Sequence, residues 1–161
     1  MTQVTKALTF AEKAHKGQVR KDGVPYIDHP KQVAVIALEL LEKSRGSYSL
    51  SLWYSESCEI VECAALLHDV VEDTDYTIDD ILELFGSKIA DVVDEITHKK
   101  QEGQSDNDYL MGIIKGHFLT KIVKLADITH NLSTSEKGMF GRYKISLWEF
   151  TKSILQRELG L

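Results

Sequence analysis

The chain has 161 residues, of which 43% are hydrophobic and 27% charged, and its formal net charge is -6 at pH 7. These values are typical of one globular domain and exclude an intrinsically disordered chain. The acidic balance argues against nucleic acid as the main partner, because nucleic-acid binding relies on a clustered positive surface. The apolar runs are much shorter than the roughly 20 residues that a membrane-spanning helix needs.

The first ten residues and the two cysteines indicate where the chain works. Met1–Phe10 lacks a sustained apolar core, so we expect no signal peptide. Cys58 and Cys63 lie five residues apart on a predicted helix, which puts their Cα atoms roughly 8 Å apart and excludes a disulfide between them. Reduced thiols are typical of a cytoplasmic protein, and we predict that location.

The first third of the chain predicts two helices separated by a polar loop. Thr5–Lys16 carries a weak apolar stripe at helical spacing, and GQVRKDGVPYI (residues 17–27) is typical of a loop. Pro30 suits the first turn of a helix over Lys31–Leu41, where apolar residues occupy almost every side. The polar, serine-rich segment Ser44–Ser57 then predicts a loop or a partly helical excursion.

The rest of the chain continues the helical pattern. Cys58–Val71 predicts an apolar helix, Thr77 and Asp80 resemble a capping box, and Gly86 divides the amphipathic stretch 81–96 into two helices. Further predictions are a polar loop at His98–Asp106, helices at Tyr109–His117 and Thr120–Leu132, and a tail with apolar Phe140, Tyr143, Leu147, Phe150 and Ile154. Because no segment alternates with period two for long, we predict an all-α bundle of about seven to nine helices.

A histidine and an aspartate, His68 and Asp69, end the apolar run of Cys58–Val71. Burying such groups is costly unless they are paired or bind a metal. Glu72 and Asp73 follow each of them by four residues, so one segment offers a nitrogen ligand and three carboxylates. That mixture suits a divalent ion such as Mn²⁺ better than an all-oxygen calcium site. A surface helix end with solvated acids is the alternative.

Two more polar residues interrupt apolar helices elsewhere. His29 precedes Pro30 at a predicted helix start, and Asp127 follows an apolar run in KIVKLADITHNL. Taken singly, His29 is explained as a residue near a helix cap, and Asp127 as a buried acid paired with Lys124. Polar intrusions on three separate helices, however, favour one convergent metal site.

Four segments carry a resemblance to a known family. They are HKGQVRKDGVPYIDHP (residues 15–30), AALLHDVVEDT (64–74), the Phe85-Gly86 pair, and KLADITHNL (124–132). The sequence resembles the HD-domain metal-dependent phosphohydrolases and, more narrowly, the hydrolase domain of RelA/SpoT-type enzymes and their small single-domain relatives. The resemblance is strongest over residues 5–132. We therefore expect one HD-type domain over residues 1–161, with 133–161 as a helical tail.

The resemblance implies an activity and a set of site residues. The expected enzyme is a Mn²⁺-dependent hydrolase that removes the 3′-pyrophosphate of guanosine tetra- and pentaphosphate (ppGpp and pppGpp), with another divalent metal left open. The implied metal ligands are His29, His68, Asp69 and Asp127, the implied catalytic acids are Glu72 and Asp73, and the implied substrate-binding residues are Arg20, Lys21, Tyr26 and Asn131. The expected partner is a small nucleotide, without nucleic acid or membrane, and the sequence is compatible with a homo-oligomer.

The remaining basic residues and histidines are less specific. Lys13, His15, Lys16, Arg20 and Lys21 cluster in sequence and either supply cations for phosphate or form a solvated basic face. Of the other histidines, His98 and His117 are most simply explained as surface or packing residues. His130, three residues after Asp127, either supports a metal ligand from outside or, more simply, is a packed, hydrogen-bonded residue.

Two departures from the family pattern leave other functions open. Ile128 stands where the family usually has arginine, which removes a cation from the expected pocket, and Ser44–Ser57 is longer than the usual connection. One alternative is the same chemistry on another phosphorylated nucleotide, such as an adenosine alarmone, NADPH or a nucleoside phosphate. The other is a nucleotide sensor without catalysis.

Overall fold

In the computed structural model of the chain, residues 2–21, 23–44, 52–99, 103–134 and 142–161 are described. These ranges form nine helices: α1 (Gln3–Ala14), α2 (Asp28–Ser44), α3 (Leu52–Leu67), α4 (Val70–Asp73), α5 (Ile78–Phe85), α6 (Ser87–Ile96), α7 (Asp106–Lys115), α8 (Phe118–Thr134) and α9 (Arg142–Leu159). An isolated bridge between Val19 and Pro25 is the extent of β pairing in the described ranges. The prediction of an all-α fold is confirmed.

The centre of the bundle is formed by α2, α3 and α8. Helix α2 packs against both of the others, α1 covers α3, and α9 covers α8. Fully buried side chains from all three central helices, such as Val33, Val61 and Leu125, fill the core between them. Burying one such side chain contributes about 1.5–3 kcal/mol to the free energy of folding, so this core stabilises the packing of the three helices. None of the helices in the described ranges has the length and apolarity that crossing a bilayer requires.

The predicted helix Cys58–Val71 is interrupted where its polar residues begin. Helix α3 ends at Leu67 and the short α4 begins at Val70, so His68 and Asp69 lie at the junction. The His68 ring donates from Nδ1 to the carbonyl oxygen of Ala65 (2.8 Å), one of the last carbonyls of α3. Such a bond satisfies a carbonyl that has no partner within its own helix, and it accompanies the end of α3.

Two predicted apolar faces differ from the structure. Helix α2 is not buried all round: Val35 is 53% exposed, because α3 and α8 cover the opposite side. In α9, Phe150 is 63% exposed, whereas Trp148 and Leu155 belong to the buried stripe that packs on α8. The predicted tail residues Phe140 and the Tyr143 side chain lie outside the described residues.

The predicted capping box and the predicted helix break are confirmed at the start and the end of α5. The Thr77 hydroxyl accepts from the Asp80 backbone N–H (3.3 Å), and the Asp80 carboxylate accepts from the Thr77 N–H (2.7 Å), which forms the capping box. Gly86 has φ of 82°, a conformation that glycine adopts without strain, and it separates α5 from α6. In the predicted excursion, residues 45–51 lie outside the described ranges, whereas 52–57 already belong to α3.

The loop between α1 and α2 folds back on itself. The Arg20 N–H donates to the Val24 carbonyl (2.9 Å), and the Tyr26 N–H donates to the Gln18 carbonyl (3.0 Å). Gly23, with φ of 83°, occupies the tight turn at the tip. The loop thus presents Arg20 and Tyr26 just before α2 begins, close to the ends of α4 and α8.

Candidate functional site

Four polar side chains converge between α2, the α3–α4 junction and α8. Nε2 of His29 lies 3.2 Å from Oδ1 of Asp127 and 3.6 Å from Oδ2 of Asp69. Nε2 of His68 lies 3.1 Å from the same Asp69 oxygen and 3.8 Å from the same Asp127 oxygen. Residues that are up to 98 positions apart in sequence therefore bring two imidazole nitrogens and the Asp127 oxygen together, and the Asp69 oxygen lies beside the two nitrogens.

The donor atoms fit a divalent metal ion. Metal–ligand bonds of about 2.0–2.2 Å place neighbouring ligand atoms roughly 3.0–3.6 Å apart, close to the separations found here. His29, His68 and Asp127 offer ligand atoms that all lie within 4.8 Å of one another, and all three residues are buried. Nε2 of His68 is buried and makes no hydrogen bond of normal geometry within the described ranges, so it can bind a ligand when the ring is neutral. A set of two imidazoles and two carboxylates suits a transition ion such as Mn²⁺ or Zn²⁺.

Hydrogen bonds from outside the cluster orient both imidazoles. His68 Nδ1 donates to the Ala65 carbonyl, so its Nε2 faces the centre without a proton when the ring is neutral. His29 Nδ1 lies 2.7 Å from Nδ1 of His130. Burial, together with the neighbouring His29 and Arg20, lowers the pKa of His130 to about 4, so His130 is neutral and accepts this bond. Such outer partners hold metal-binding histidines in the required tautomer.

Asp127 is held on both oxygens. Lys124 Nζ donates to Oδ2 (2.8 Å), and Asn131 Nδ2 donates to Oδ1 (2.6 Å). Burial opposes the charge of Asp127, but Lys124 and His29 outweigh it and hold the pKa of Asp127 well below its usual range. The pairing with Lys124 and the place in the cluster, which the sequence presents as alternatives, occur together.

His68 and Asp69 form a buried charge pair. Burial lowers the pKa of His68, but the adjacent Asp69 carboxylate more than compensates and raises it to about 9. Burial would raise the pKa of Asp69, and the His68 charge holds it below its usual value. In the metal-free protein the proton on His68 therefore balances part of the negative charge that a cation would otherwise balance.

The two remaining acids lie beside this cluster on α4. Tyr26 donates to Asp73 Oδ2 (2.7 Å) and also lies within hydrogen-bond distance of Asp69 Oδ2 (2.6 Å). Burial and the neighbouring Asp69 charge raise the pKa of Asp73. Glu72 accepts from the backbone N–H of His98 (3.3 Å). Two carboxylates thus lie next to the four converging ligand atoms, in distinct environments.

A cavity of about 470 Å³ opens over this group, within the range usual for small-molecule sites. Its lining combines the acids with four cations, namely Arg20, Lys21, Lys124 and Lys144, and with the aromatic residues Tyr26, Tyr109 and Trp148. Arg20 Nη2 donates to Asn131 Oδ1 (2.9 Å), so the loop is connected through Asn131 to Asp127. Although the chain as a whole is acidic, four cations lie in the same cavity as the candidate metal ligands.

Nine of the ten site residues predicted from the sequence line the cavity. The tenth, His68, is buried and belongs to the cluster of candidate metal ligands without lining the cavity. Of the basic cluster, Arg20 and Lys21 line the cavity, whereas Lys13, His15 and Lys16 do not. Ile128, which stands where the family usually has arginine, is fully buried in the core and does not line the cavity. An aliphatic side chain suits that apolar position.

Several lining residues escaped the sequence analysis. His98 takes the packing alternative rather than the surface one, since it is buried and its ring stacks on Tyr109 with centroids 4.5 Å apart, but its place in the cavity lining was not predicted. Its place after the apolar stretch of α6, like that of His68 after α3, is a signal that could have indicated it. Lys144 and Trp148 reach the cavity because α9 folds against α8, and no local pattern announces that contact. His117, in contrast, is exposed and pairs with Glu95.

The HD domain family matches residues 7–109, well over half of the chain, and the chain belongs to this family. Its curated relatives include the human guanosine-3′,5′-bis(diphosphate) 3′-pyrophosphohydrolase MESH1, which is 37% identical over 134 residues, covering 81% of this chain and 68% of MESH1.

Larger relatives match over a small part of their length. A GTP pyrophosphokinase of Myxococcus xanthus is 37% identical over 142 residues, covering 81% of this chain and 17% of that protein. The bifunctional (p)ppGpp synthase/hydrolase SpoT of Escherichia coli is 34% identical over 141 residues, covering 82% and 18%. The chain thus spans less than a fifth of these two proteins.

Two solved structures share the fold. A metazoan ortholog of SpoT that hydrolyses ppGpp superposes with a TM-score of 0.71 at 24% identity, covering 99% of this chain and 86% of the other. The protein lmo0812 from Listeria monocytogenes superposes with a TM-score of 0.55 at 25% identity, covering 84% and 82%. The first of these likenesses establishes the bundle architecture across nearly the whole chain.

Proposed function

We propose that this protein is a metal-dependent 3′-pyrophosphohydrolase of guanosine alarmones, which converts ppGpp to GDP, or pppGpp to GTP, with release of pyrophosphate. The observation that carries the proposal is the cavity: its lining combines the candidate metal ligands His29, Asp69 and Asp127 and the two further acids with the cations Arg20 and Lys21. The likeness to MESH1, which is named for this reaction and of which the chain covers 68%, supports the choice of substrate.

We assign the metal to His29, His68, Asp69 and Asp127, and we propose Mn²⁺ as the ion. Such an ion, when bound, lowers the pKa of a water ligand and polarises a phosphoryl oxygen. The chain prepares this position by holding both Nε2 atoms inward, through Ala65 behind His68 and His130 behind His29. Asp127 is fixed from two sides and keeps its charge in a buried setting.

We propose that Glu72 and Asp73 orient the attacking water and accept its proton. Both lie on α4, one turn beyond the His68-Asp69 pair, and both line the cavity. Burial raises the pKa of Asp73 toward the working pH, which strengthens it as a proton acceptor. Two acids in different environments allow one to accept a proton while the other stays charged.

We propose that the nucleotide is bound by Arg20, Lys21 and Asn131, with Tyr26 lining the same wall. A guanidinium forks onto phosphate oxygens or stacks on a base, and the bond to Asn131 holds Arg20 in place for either role. The local cations offset the charge of a substrate with several phosphates, which the net charge of -6 would otherwise repel.

The wider assignments are also proposals. We propose a single catalytic domain that acts on a small nucleotide in the stringent response, with no nucleic-acid or membrane partner. The free thiols Cys58 and Cys63 support the cytoplasm as its location.

A nucleotide panel tests the proposal. The protein is incubated at equal concentrations with ppGpp, pppGpp, an adenosine alarmone, NADPH and a nucleoside phosphate, with Mn²⁺, Mg²⁺ or EDTA, and pyrophosphate and phosphate release are measured. We expect ppGpp to yield pyrophosphate and GDP in equal amounts with Mn²⁺ and nothing with EDTA. A higher kcat/KM for another nucleotide would transfer the substrate assignment. Tight ppGpp binding without turnover under any divalent ion would favour a sensor.

A further inference from the structure

The Tyr26 hydroxyl lies between two carboxylates that belong to different parts of the proposed mechanism. Its Oη is 2.6 Å from Oδ2 of Asp69 and 2.7 Å from Oδ2 of Asp73. The same Asp69 oxygen faces Nε2 of His29 and Nε2 of His68. A single hydroxyl therefore connects a proposed metal ligand to a proposed catalytic acid.

This hydroxyl is poorly placed to bind substrate as well. A phenol has one proton to donate, and both contacts are short, so the two carboxylates already use its donor capacity. The expectation that Tyr26 contacts the nucleotide is therefore better met by its ring than by its hydroxyl.

The surroundings of Tyr26 hold it and Asp73 together. The buried His15 ring stacks on the Tyr26 ring with centroids 4.7 Å apart and planes 25° from parallel. His15 Nδ1 is bonded to Gln18 Oε1 (2.8 Å), and Gln18 Nε2 donates to the backbone carbonyl of Asp73 (3.0 Å). The loop therefore binds Asp73 at two points: Gln18 contacts its backbone carbonyl, and Tyr26 contacts its side-chain carboxylate.

We propose that Tyr26 is a positioning residue: it fixes the Asp73 carboxylate at a set distance from Asp69, and so from the metal centre. The proposal rests on the function proposed above. An acid held in this way meets the attacking water in one orientation, whereas a free aspartate samples several rotamers. Removing the Tyr26 hydroxyl should lower kcat more than it weakens substrate binding, because the hydroxyl acts through Asp73 rather than on the nucleotide.

The first test is Tyr26→Phe, which keeps the ring and its stack on His15 and removes only the hydroxyl. At saturating Mn²⁺ we expect kcat for ppGpp to fall about 10- to 100-fold, the range for groups that orient active-site ligands, with KM within about threefold of wild type. Tyr76→Phe is the matched control, because Tyr76 packs on Phe10 (4.6 Å between centroids) away from the cavity. A raised KM with unchanged kcat would overturn the proposal.

A double-mutant cycle separates an action through Asp73 from an independent one. In an Asp73→Asn background the acid to be positioned is gone, so adding Tyr26→Phe should change kcat/KM by less than about twofold. If Tyr26→Phe costs as much in that background as in wild type, the two residues act independently, and the positioning role is refuted.

A crystal structure of metal-free Tyr26→Phe provides a readout that needs no activity. We expect the Asp73 carboxylate to turn away from Asp69 by more than about 1 Å or to occupy several rotamers, while His29, His68 and Asp127 stay in place. An Asp73 carboxylate that stays where Tyr26 holds it contradicts the proposal. If wild type hydrolyses no guanosine alarmone, the proposed function fails, and this structure still decides the role of Tyr26.

Discussion

The cavity has two sides that are built by different means. The metal side, defined as His29, His68, Asp69 and Asp127, lies on α2, on α8 and at the α3–α4 junction, and three of its four residues are buried. The nucleotide side, defined as Arg20, Lys21, Lys144 and Trp148, comes from the loop before α2 and from α9. Every residue of the metal side lies within 4 Å of another member of its own group, whereas the two elements that form the nucleotide side face the cavity from the loop and from α9.

The two sides should differ in how well they tolerate amino-acid substitutions. A buried ionic cluster costs several kcal/mol when one partner is removed, because the others stay desolvated and unpaired. A partly exposed cation loses only its own contacts, since water replaces them. Substitutions on the metal side should therefore affect catalysis, metal binding and stability together, and those on the nucleotide side should affect substrate binding alone.

The largest effect is expected for a proposed ligand. His68→Gln removes the buried Nε2, and we expect both the loss of detectable Mn²⁺ binding by calorimetry and a fall in kcat of more than about 10³-fold. The matched control is His117→Gln, because His117 is exposed and lies outside the cavity. Unchanged metal affinity in His68→Gln would show that the metal side does not act as one unit.

Removing one of the two acids should be the next most severe change. Glu72→Gln or Asp73→Asn is expected to lower kcat about 10²- to 10⁴-fold, the usual contribution of a general base, while Mn²⁺ stays bound. Calorimetry and turnover measured on the same samples check this. If both variants lose the metal instead, the division between ligands and catalytic acids is wrong.

The stability of the metal-free protein should depend on pH through His68. Its pKa is raised to about 9 in the fold, mainly by Asp69 acting against burial, so its pairing energy is fully present below pH 6.5 and lost as the pH rises toward 9. We expect the free energy of unfolding in EDTA to fall by up to about 3 kcal/mol across that window. Urea unfolding from pH 6 to 9.5 measures this, and His68→Gln should flatten the curve.

A cation on the nucleotide side should have a smaller and purely binding effect. Arg20→Ala is expected to raise KM for ppGpp about 10- to 100-fold, the range for a charge-assisted contact, with kcat changed less than about threefold. Lys16→Ala is the control, because Lys16 belongs to the same basic stretch and does not line the cavity. A fall in kcat with constant KM would place Arg20 in the chemistry and erase the contrast between the two sides.

The smallest effect is expected from α9. Lys144→Ala removes a lining cation whose Nζ also lies 5.0 Å from the Trp148 ring centroid, and we expect a rise in KM of about two- to fivefold. The rise should shrink at high salt, because exposed charges are screened. A hundredfold effect would give α9 a share in recognition equal to that of the loop.

The helical secondary structure and several helix boundaries could be predicted from the sequence, because they depend on residues that are neighbours in the chain. The capping box at Thr77 and the break at Gly86 are local rules, and both are confirmed. The division between α3 and α4 was missed, because an apolar run hides an interruption that a ring-to-carbonyl bond at Ala65 accompanies. The stripe of α9 was misplaced, since Phe150 is as apolar as Trp148 and only the position of α8 decides which one is buried.

Sequence alone determined that polar groups such as His29, His68-Asp69 and Asp127 sit in apolar helices, where desolvation demands a partner. Their convergence follows from the way α2, α3 and α8 pack, and it could be inferred only because isolated buried charges are so costly. Only the packed structure shows that Tyr26 bridges Asp69 and Asp73, that His130 supports His29, and that Trp148 lines the cavity. These contacts join residues whose separate positions show no pattern, because their geometry exists only once the helices have packed.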